Sequence, residues 1–327
     1  MNRRDFLKRS LAAAAFLPMA ELLAGIVGNG KKREPATVYF TSRISPEAVI
    51  RMERALGIAL PGKVAVKVHS GEKGNQNFLR PEFLRPMVEA VKGTVVECNT
   101  AYEGARNSTE KHRELIREHG WSRCFRVDLM DAEGPDLELP VPNAEILRKN
   151  YAGRNMANYD SMLVLSHFKG HPVAGYGGAL KQLAIGCASI RGKALIHSGG
   201  VSGDPVECWK KMASPEVFGD AMAEAAGTIL QYFKNRIAFV NMMCNLSVDC
   251  DCCAVAEDPC MKDIGILSST DPVALDQACL DQIRWSADPG REHFLERVLS
   301  RKGTRVIDAA AERGIGTKKY RLVRVEA

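Results

Sequence analysis

The sequence predicts an α/β fold: a mainly parallel sheet covered by helices, in a single large domain with room for two lobes. Three observations predict it. Short apolar runs alternate with helical stretches along most of the chain. The helical stretches carry start and stop residues at their ends. Composition is that of an ordinary globular protein, with 327 residues, 46% hydrophobic and 26% charged.

The elements follow in order. Residues 37–41 (TVYFT) read as a strand, and Ser45-Pro46-Glu47 starts a helix with Ser as cap and Pro in the first turn. Residues 63–68 (KVAVKV) are a second strand. A helix over 80–92 ends at Gly93, and 94–98 (TVVEC) is a third strand. A helix over 108–119 closes at Gly120, and 125–129 reads as a further strand. Strands are then expected at 162–166 (MLVLS), 193–196 (KALI), 237–241 (IAFVN) and 264–267. Residues 179–183 look helical, and Asp271-Pro272 caps a helix over 273–285. No internal repeat or low-complexity segment interrupts this order.

The N-terminus differs from the rest. Arg3-Arg4, Phe6-Leu7 and Lys8 precede an apolar run over 11–17, which matches a twin-arginine export signal over residues 1–30. Residues 31–36 form a charged linker, and the α/β domain occupies 37–327. Pro18 and Glu21 interrupt the apolar run, so no permanent membrane span is expected. The expected partner is the twin-arginine translocase, and the expected location periplasmic or extracellular. That route carries folded proteins, many holding a cofactor. Net charge is +6 with no lysine or arginine run beyond 31–33, and no nucleic-acid motif is present.

Four histidines share a placement. His69 follows the run 63–68, His167 and His171 follow 162–166, and His197 follows 193–196. Cys98 and Asn99 end another strand. Ligands of open α/β sheets bind beyond the carboxyl ends of strands, so these histidines are the expected catalytic group. His112, His119 and His293 fall on helical surfaces and take no role. The segment 167–181 (HFKGHPVAGYGGALK) concentrates glycines ahead of a helix. Gly175, Gly177 and Gly178 would let a cofactor or small anionic ligand approach the main chain, with Lys181 in the first helical turn beside it. Cys244, Cys250, Cys252, Cys253 and Cys260 are five of the ten cysteines. Thiols so close, with Asp249 and Asp251 between them, suit a metal ion or iron–sulfur cluster. Disulfides and free thiols stay open as alternatives.

The stretches KVAVKVHSGEKGN, SHFKGHPVAGYGGALKQLAIGCASIRGKALIHSG, VDCDC and DIGILSSTDPVALDQACLD resemble the domain of unknown function 362 family, also described as Fe–S centre proteins. The resemblance runs from about residue 38 past 281. It implies Cys250 and Cys252 as the metal pair, matching the family's C-D-C. Many members carry a ferredoxin-like insert after the region of His197-Ser198-Gly199. Here only the short segment 201–230 stands there, with Cys208 its single cysteine. Locally, HPVAGYGGALKQLAIG is similar to a motif of the nickel-pincer lactate racemases. That likeness implies a cofactor-tethering role for Lys181 and metal or acid–base roles for the histidines. The reading is an exported metal- or cofactor-dependent protein, redox-active or isomerising. The alternatives are a racemase-like isomerase of a small hydroxy acid and a non-catalytic periplasmic anion-binding protein.

Overall fold

Residues 34–326 are described by a computed structural model; the expected signal over 1–30 and residues 31–33 of the linker lie outside the described residues. The strands are β1 Ala36–Thr41, β2 Val64–Lys67, β3 Thr94–Glu97, β4 Val127–Leu129, β5 Leu137–Pro140, β6 Lys149–Ala152, β7 Ser161–His167, β8 Lys169–His171, β9 Gly175–Gly177, β10 Ile237–Met243, β11 Gly265–Ser269 and β12 Tyr320–Arg324. Eight form one sheet in the order β12-β1-β11-β10-β7-β2-β3-β4. Only β11 runs against its neighbours; every other pairing in this sheet is parallel. The mainly parallel α/β prediction therefore holds.

The central strands β7 and β10 are buried along their whole length, as expected where helices cover both faces. Their side chains alternate between two cores. Met162 and Val164 face a core built with the helices Ala179–Ala184, Pro215–Phe233 and Pro272–Trp285. Leu163 and Leu165 face a core built with the helices Pro46–Arg54 and Pro81–Ala90. Residues from Glu34 onward form one compact unit, without a division into lobes. Among the described residues, no helix is long and apolar enough to cross a membrane.

The expected caps Ser45 and Asp271 are present, and Ser108 caps the helix expected over 108–119. Ser45 accepts from Ala48 N at 3.2 Å, Ser108 from Lys111 N at 3.3 Å, and Asp271 from Val273 N at 2.9 Å. One element is corrected: 193–196 is not a strand. It belongs to the helix Ile190–His197, whose cap Ser189 accepts from Gly192 N at 3.2 Å. A four-residue apolar run carries no period of its own, and the cap decides it. His197 therefore ends a helix. The glycine-rich segment is a tight hairpin of β8 and β9 and not a plain turn. The helices Pro215–Phe233, Arg291–Ser300 and Arg305–Glu312 have no counterpart in the sequence reading.

Candidate functional site

Strands β2, β3, β7 and β10 are mutually parallel, so the segments that follow them leave one edge of the sheet together. The long loop after β10 crosses back over the others. Its Asp251 carbonyl accepts from Glu72 N at 2.7 Å, and its Ser247 carbonyl from Gly170 N at 2.8 Å. Asn75 Nδ2 donates to the Cys253 carbonyl at 2.9 Å. Gly170 is required by this crossing, because a Cβ there would lie 2.1 Å from the Val248 oxygen. Beneath the crossing lies a cavity of about 200 Å³, whose walls include His69, His171, His197, Lys181, Cys252 and Cys253.

Asp251, between the two cysteines of the C-D-C, anchors the loop. Its Oδ1 meets His167 Nδ1 at 2.8 Å and its Oδ2 meets Lys169 Nζ at 2.9 Å, all three side chains being buried. Burial alone would raise the Asp251 carboxyl, but His167 and Lys169 hold it well below the usual carboxylate range. His167 Nε2 sits 2.6 Å from the Cys244 carbonyl. Both His167 nitrogens are thus committed, and the residue lies off the cavity wall. It positions the cysteine loop and is not free to act on a ligand.

A second buried network supports the opposite wall. Lys67 Nζ pairs with Glu97 at 2.6 Å, and Arg106 pairs with Glu72 at 3.2 Å. Burial opposes the Glu97 charge, yet Lys67, His69 and Arg106 hold that carboxyl far below its ordinary value. His112, expected on a helix surface, is fully buried in this network. It lies 3.1 Å from both Ser70 Oγ and Asn99 Oδ1, and burial pushes it down to about 3. His119 is half-buried and stacked on Phe78 at 4.4 Å, while His293 is exposed and paired with Glu257.

The three cavity histidines are each pushed down to about 4, so all are neutral near pH 7. Burial is the main cause throughout, assisted by Arg106 at His69 and by Lys181 at His171 and His197. Their hydrogen bonds set different faces. His171 Nδ1 accepts from Val173 N at 3.0 Å and Ala174 N at 2.9 Å, so its hydrogen sits on Nε2, which faces Cys252 Sγ at 3.5 Å. His69 Nδ1 likewise accepts from Gly71 N at 3.1 Å. His197 is the reverse. Its Nδ1–H donates to the Lys193 carbonyl at 2.7 Å, leaving Nε2 as a bare acceptor.

The donor atoms of His171, Cys250 and Cys252 all lie within 4.8 Å of one another, close enough for one metal ion to meet all three. One nitrogen and two sulfurs make a soft donor set, with the cavity as the open side. The two sulfurs fit best. His171 becomes a ligand only by giving up its Nε2 hydrogen, while ligating histidines usually donate from the other nitrogen. A four-cysteine cluster does not fit. Cys244 and Cys260 stand outside the group, and Cys260 Sγ donates to the Leu246 carbonyl at 3.2 Å. All ten cysteines are free thiols in this structure.

The glycines have another use. Gly175, Gly177 and Gly178 do not line the cavity. The amide groups at the start of Ala179–Ala184 are taken by the protein's own Asp276, which accepts from Ala179 N at 2.8 Å and Leu180 N at 3.0 Å. A Cβ on Gly178 would lie 2.5 Å from that carboxylate. An anion at this helix start is thus supplied internally, which corrects the expected cofactor contact. Lys181 does reach the cavity. Arg106, Tyr102, Gln182, Lys193 and Trp209 also line it and went unread. None sits in a glycine-rich or cysteine-rich run, so composition offered no signal for them.

A family model with the description domain of unknown function (DUF362) matches residues 64–281. Two solved structures are similar to part of the chain. A lactate racemase apoprotein from Thermoanaerobacterium thermosaccharolyticum is 13% identical with a TM-score of 0.37, over 63% of this chain and 50% of its own. A structural-genomics protein from Thermotoga maritima is 11% identical with a TM-score of 0.43, over 84% of this chain and 60% of its own. The chain thus spans half of the first protein and three fifths of the second. No curated protein matches the chain.

Proposed function

The chain belongs to the domain of unknown function (DUF362) family, and we propose that it is a metal-dependent enzyme whose cavity binds a small anion beside a sulfur-held soft metal ion. The convergence of His171, Cys250 and Cys252 within 4.8 Å carries this reading. Cys250 and Cys252 would hold the ion, and His171 would stand against the sulfurs. When bound, such an ion supplies electrophilic polarisation of a ligand oxygen. The residues around it do the rest. Lys181, without an ion-pair partner among the described residues, places positive charge on the cavity wall, which favours an anion. The neutral imidazoles offer hydrogen-bond donors and acceptors to a ligand. Trp209 narrows the cavity by packing its tilted ring against His197 at 4.9 Å and donating to the Ala101 carbonyl at 2.8 Å.

The test is metal content after purification without oxygen. About one soft metal ion per chain is expected, lost in both Cys250→Ser and Cys252→Ser. Metal-free wild-type protein that still binds small anions would sink the enzyme reading in favour of an anion-binding protein. Residues 1–30 are proposed to direct export by the twin-arginine route to the periplasm or beyond. Arg3→Lys with Arg4→Lys should hold the protein in the cytoplasm; full export of that double variant would overturn the proposal.

A further inference from the structure

The polar groups on the cavity wall are unevenly used. Arg106 is spent on Glu72 and Tyr102, Tyr102 on Glu72 and the Cys252 carbonyl, and Lys193 on the Ala188 carbonyl. Glu97 is spent on Lys67 and Ser70. Three groups facing the cavity are not spent. Among the described residues, neither the Lys181 ammonium nor the Gln182 side-chain amide has a hydrogen bond or ion pair. Gln182 is only 8% exposed, and its amide faces the cavity without a protein partner. The third is His197 Nε2, whose ring is fixed between Trp209 and Phe218 at centroid distances of 4.9 and 5.0 Å.

We infer that Lys181, Gln182 and His197 form a receptor for a small carboxylate that carries a hydroxyl group. The Lys181 ammonium and the Gln182 amide nitrogen donate to the carboxylate oxygens. His197 Nε2, with its other nitrogen committed to the Lys193 carbonyl, accepts from the hydroxyl. The donor on the ligand is a hydroxyl and not an ammonium, because the Lys181 ammonium, with no ion-pair partner among the described residues, stands on the same wall. The volume of about 200 Å³ has room for a small ligand of this kind. The inference rests on the cavity as a ligand site and not on the metal.

Calorimetric titration of the full chain with glycolate, acetate and inorganic phosphate tests it, with metal content measured on the same samples. Glycolate should bind about tenfold more tightly than acetate, the difference one hydrogen bond makes in a dry site. Gln182→Leu should weaken both carboxylates about tenfold, and His197→Phe should erase the advantage of glycolate while leaving acetate unchanged. If Gln182→Leu does not fold, Gln182→Glu, of nearly the same shape, should abolish carboxylate binding through charge repulsion. Equal affinity for glycolate and acetate in the wild type would overturn the inference. So would undiminished glycolate binding in both Gln182 variants, or binding of phosphate alone. Glycolate binding by metal-free protein would sink the metal reading and sustain this one; metal-replete protein that ignores glycolate would do the opposite.

Discussion

Asp251→Asn tests whether the C-D-C loop is held by its charge pairs. Asp251 is about as buried as a side chain can be, at 1%, with His167 at 2.8 Å and Lys169 at 2.9 Å. The amide keeps the shape and removes the charge, leaving the buried Lys169 ammonium unopposed. Breaking one side of such a pair costs about 3–5 kcal/mol. For a chain of this size each kcal/mol shifts the melting point by roughly 2 °C, so a fall of about 6–10 °C is expected. Adding Lys169→Met removes the stranded charge and should restore part of the loss. Because the Asp251 carboxyl is held below its unfolded value, the pair's contribution is complete above about pH 4 and lost as pH falls further. The gap between wild type and variant should therefore stay constant from about pH 5 to 8 and narrow only below about 4. Calorimetric melts at three pH values, with the rate of thiol labelling at Cys252 and Cys253, provide the readout. An unchanged melting point in the single variant, or a double variant weaker than the single one, would refute the reasoning.

Three further outcomes follow. His69, His171 and His197 sit near 4 in the fold and near 6.5 when unfolded, so the unfolded chain takes up protons first as pH falls. Stability should drop between about pH 6.5 and 4, by up to roughly 3 kcal/mol per imidazole, and urea titrations at several pH values should show a shallower slope in His197→Phe. Gly170→Ala forces a Cβ to 2.1 Å from the Val248 oxygen and should cost about 3 kcal/mol or more. Gly57→Ala, with no atom within 4 Å but a φ of +62°, should cost only about 1 kcal/mol; equal melting losses in the two would count against the close crossing. Trp209→Ala removes the indole bond to Ala101 and the ring contact with His197, and should lower stability by about 2 kcal/mol and quicken labelling of Cys252. Labelling at the wild-type rate would mean that the indole does not shield the cavity.

How far the sequence reaches depends on the residue. His69 and His171 were legible because a strand's carboxyl end is a topological position, and apolar runs mark strands. His197 reached the cavity for a different reason than expected, since a four-residue run cannot distinguish strand from helix and Ser189 settled it. His167 showed the limit of the same rule. Placement at a strand end says nothing about whether both ring nitrogens are already engaged, and here Asp251 and Cys244 engage them. The glycines of 175–178 promised an anion site, but Asp276, a hundred residues later, supplies that anion, a contact no local window contains. Arg106, Gln182 and His112 are ordinary polar residues in helical or loop sequence. Only the folding together of distant segments gives them their burial.

The order of the sheet also dictates when the cavity comes into being. β1, the first strand, pairs on one side with β11 through Phe40 and Leu267, and on the other with β12 through Phe40 and Arg324. During synthesis β1 thus finds no sheet partner until residues 265–269 have been made, and its second edge waits for residues 320–324. The cavity shares this delay, since its walls join residue 69 to residue 253 across β2, β3, β7 and β10. Contacts so distant in sequence close late and slowly. Any metal or ligand held by all of these walls must therefore arrive after residue 253 has been made, so its occupancy would report on chains already folded across the whole cavity.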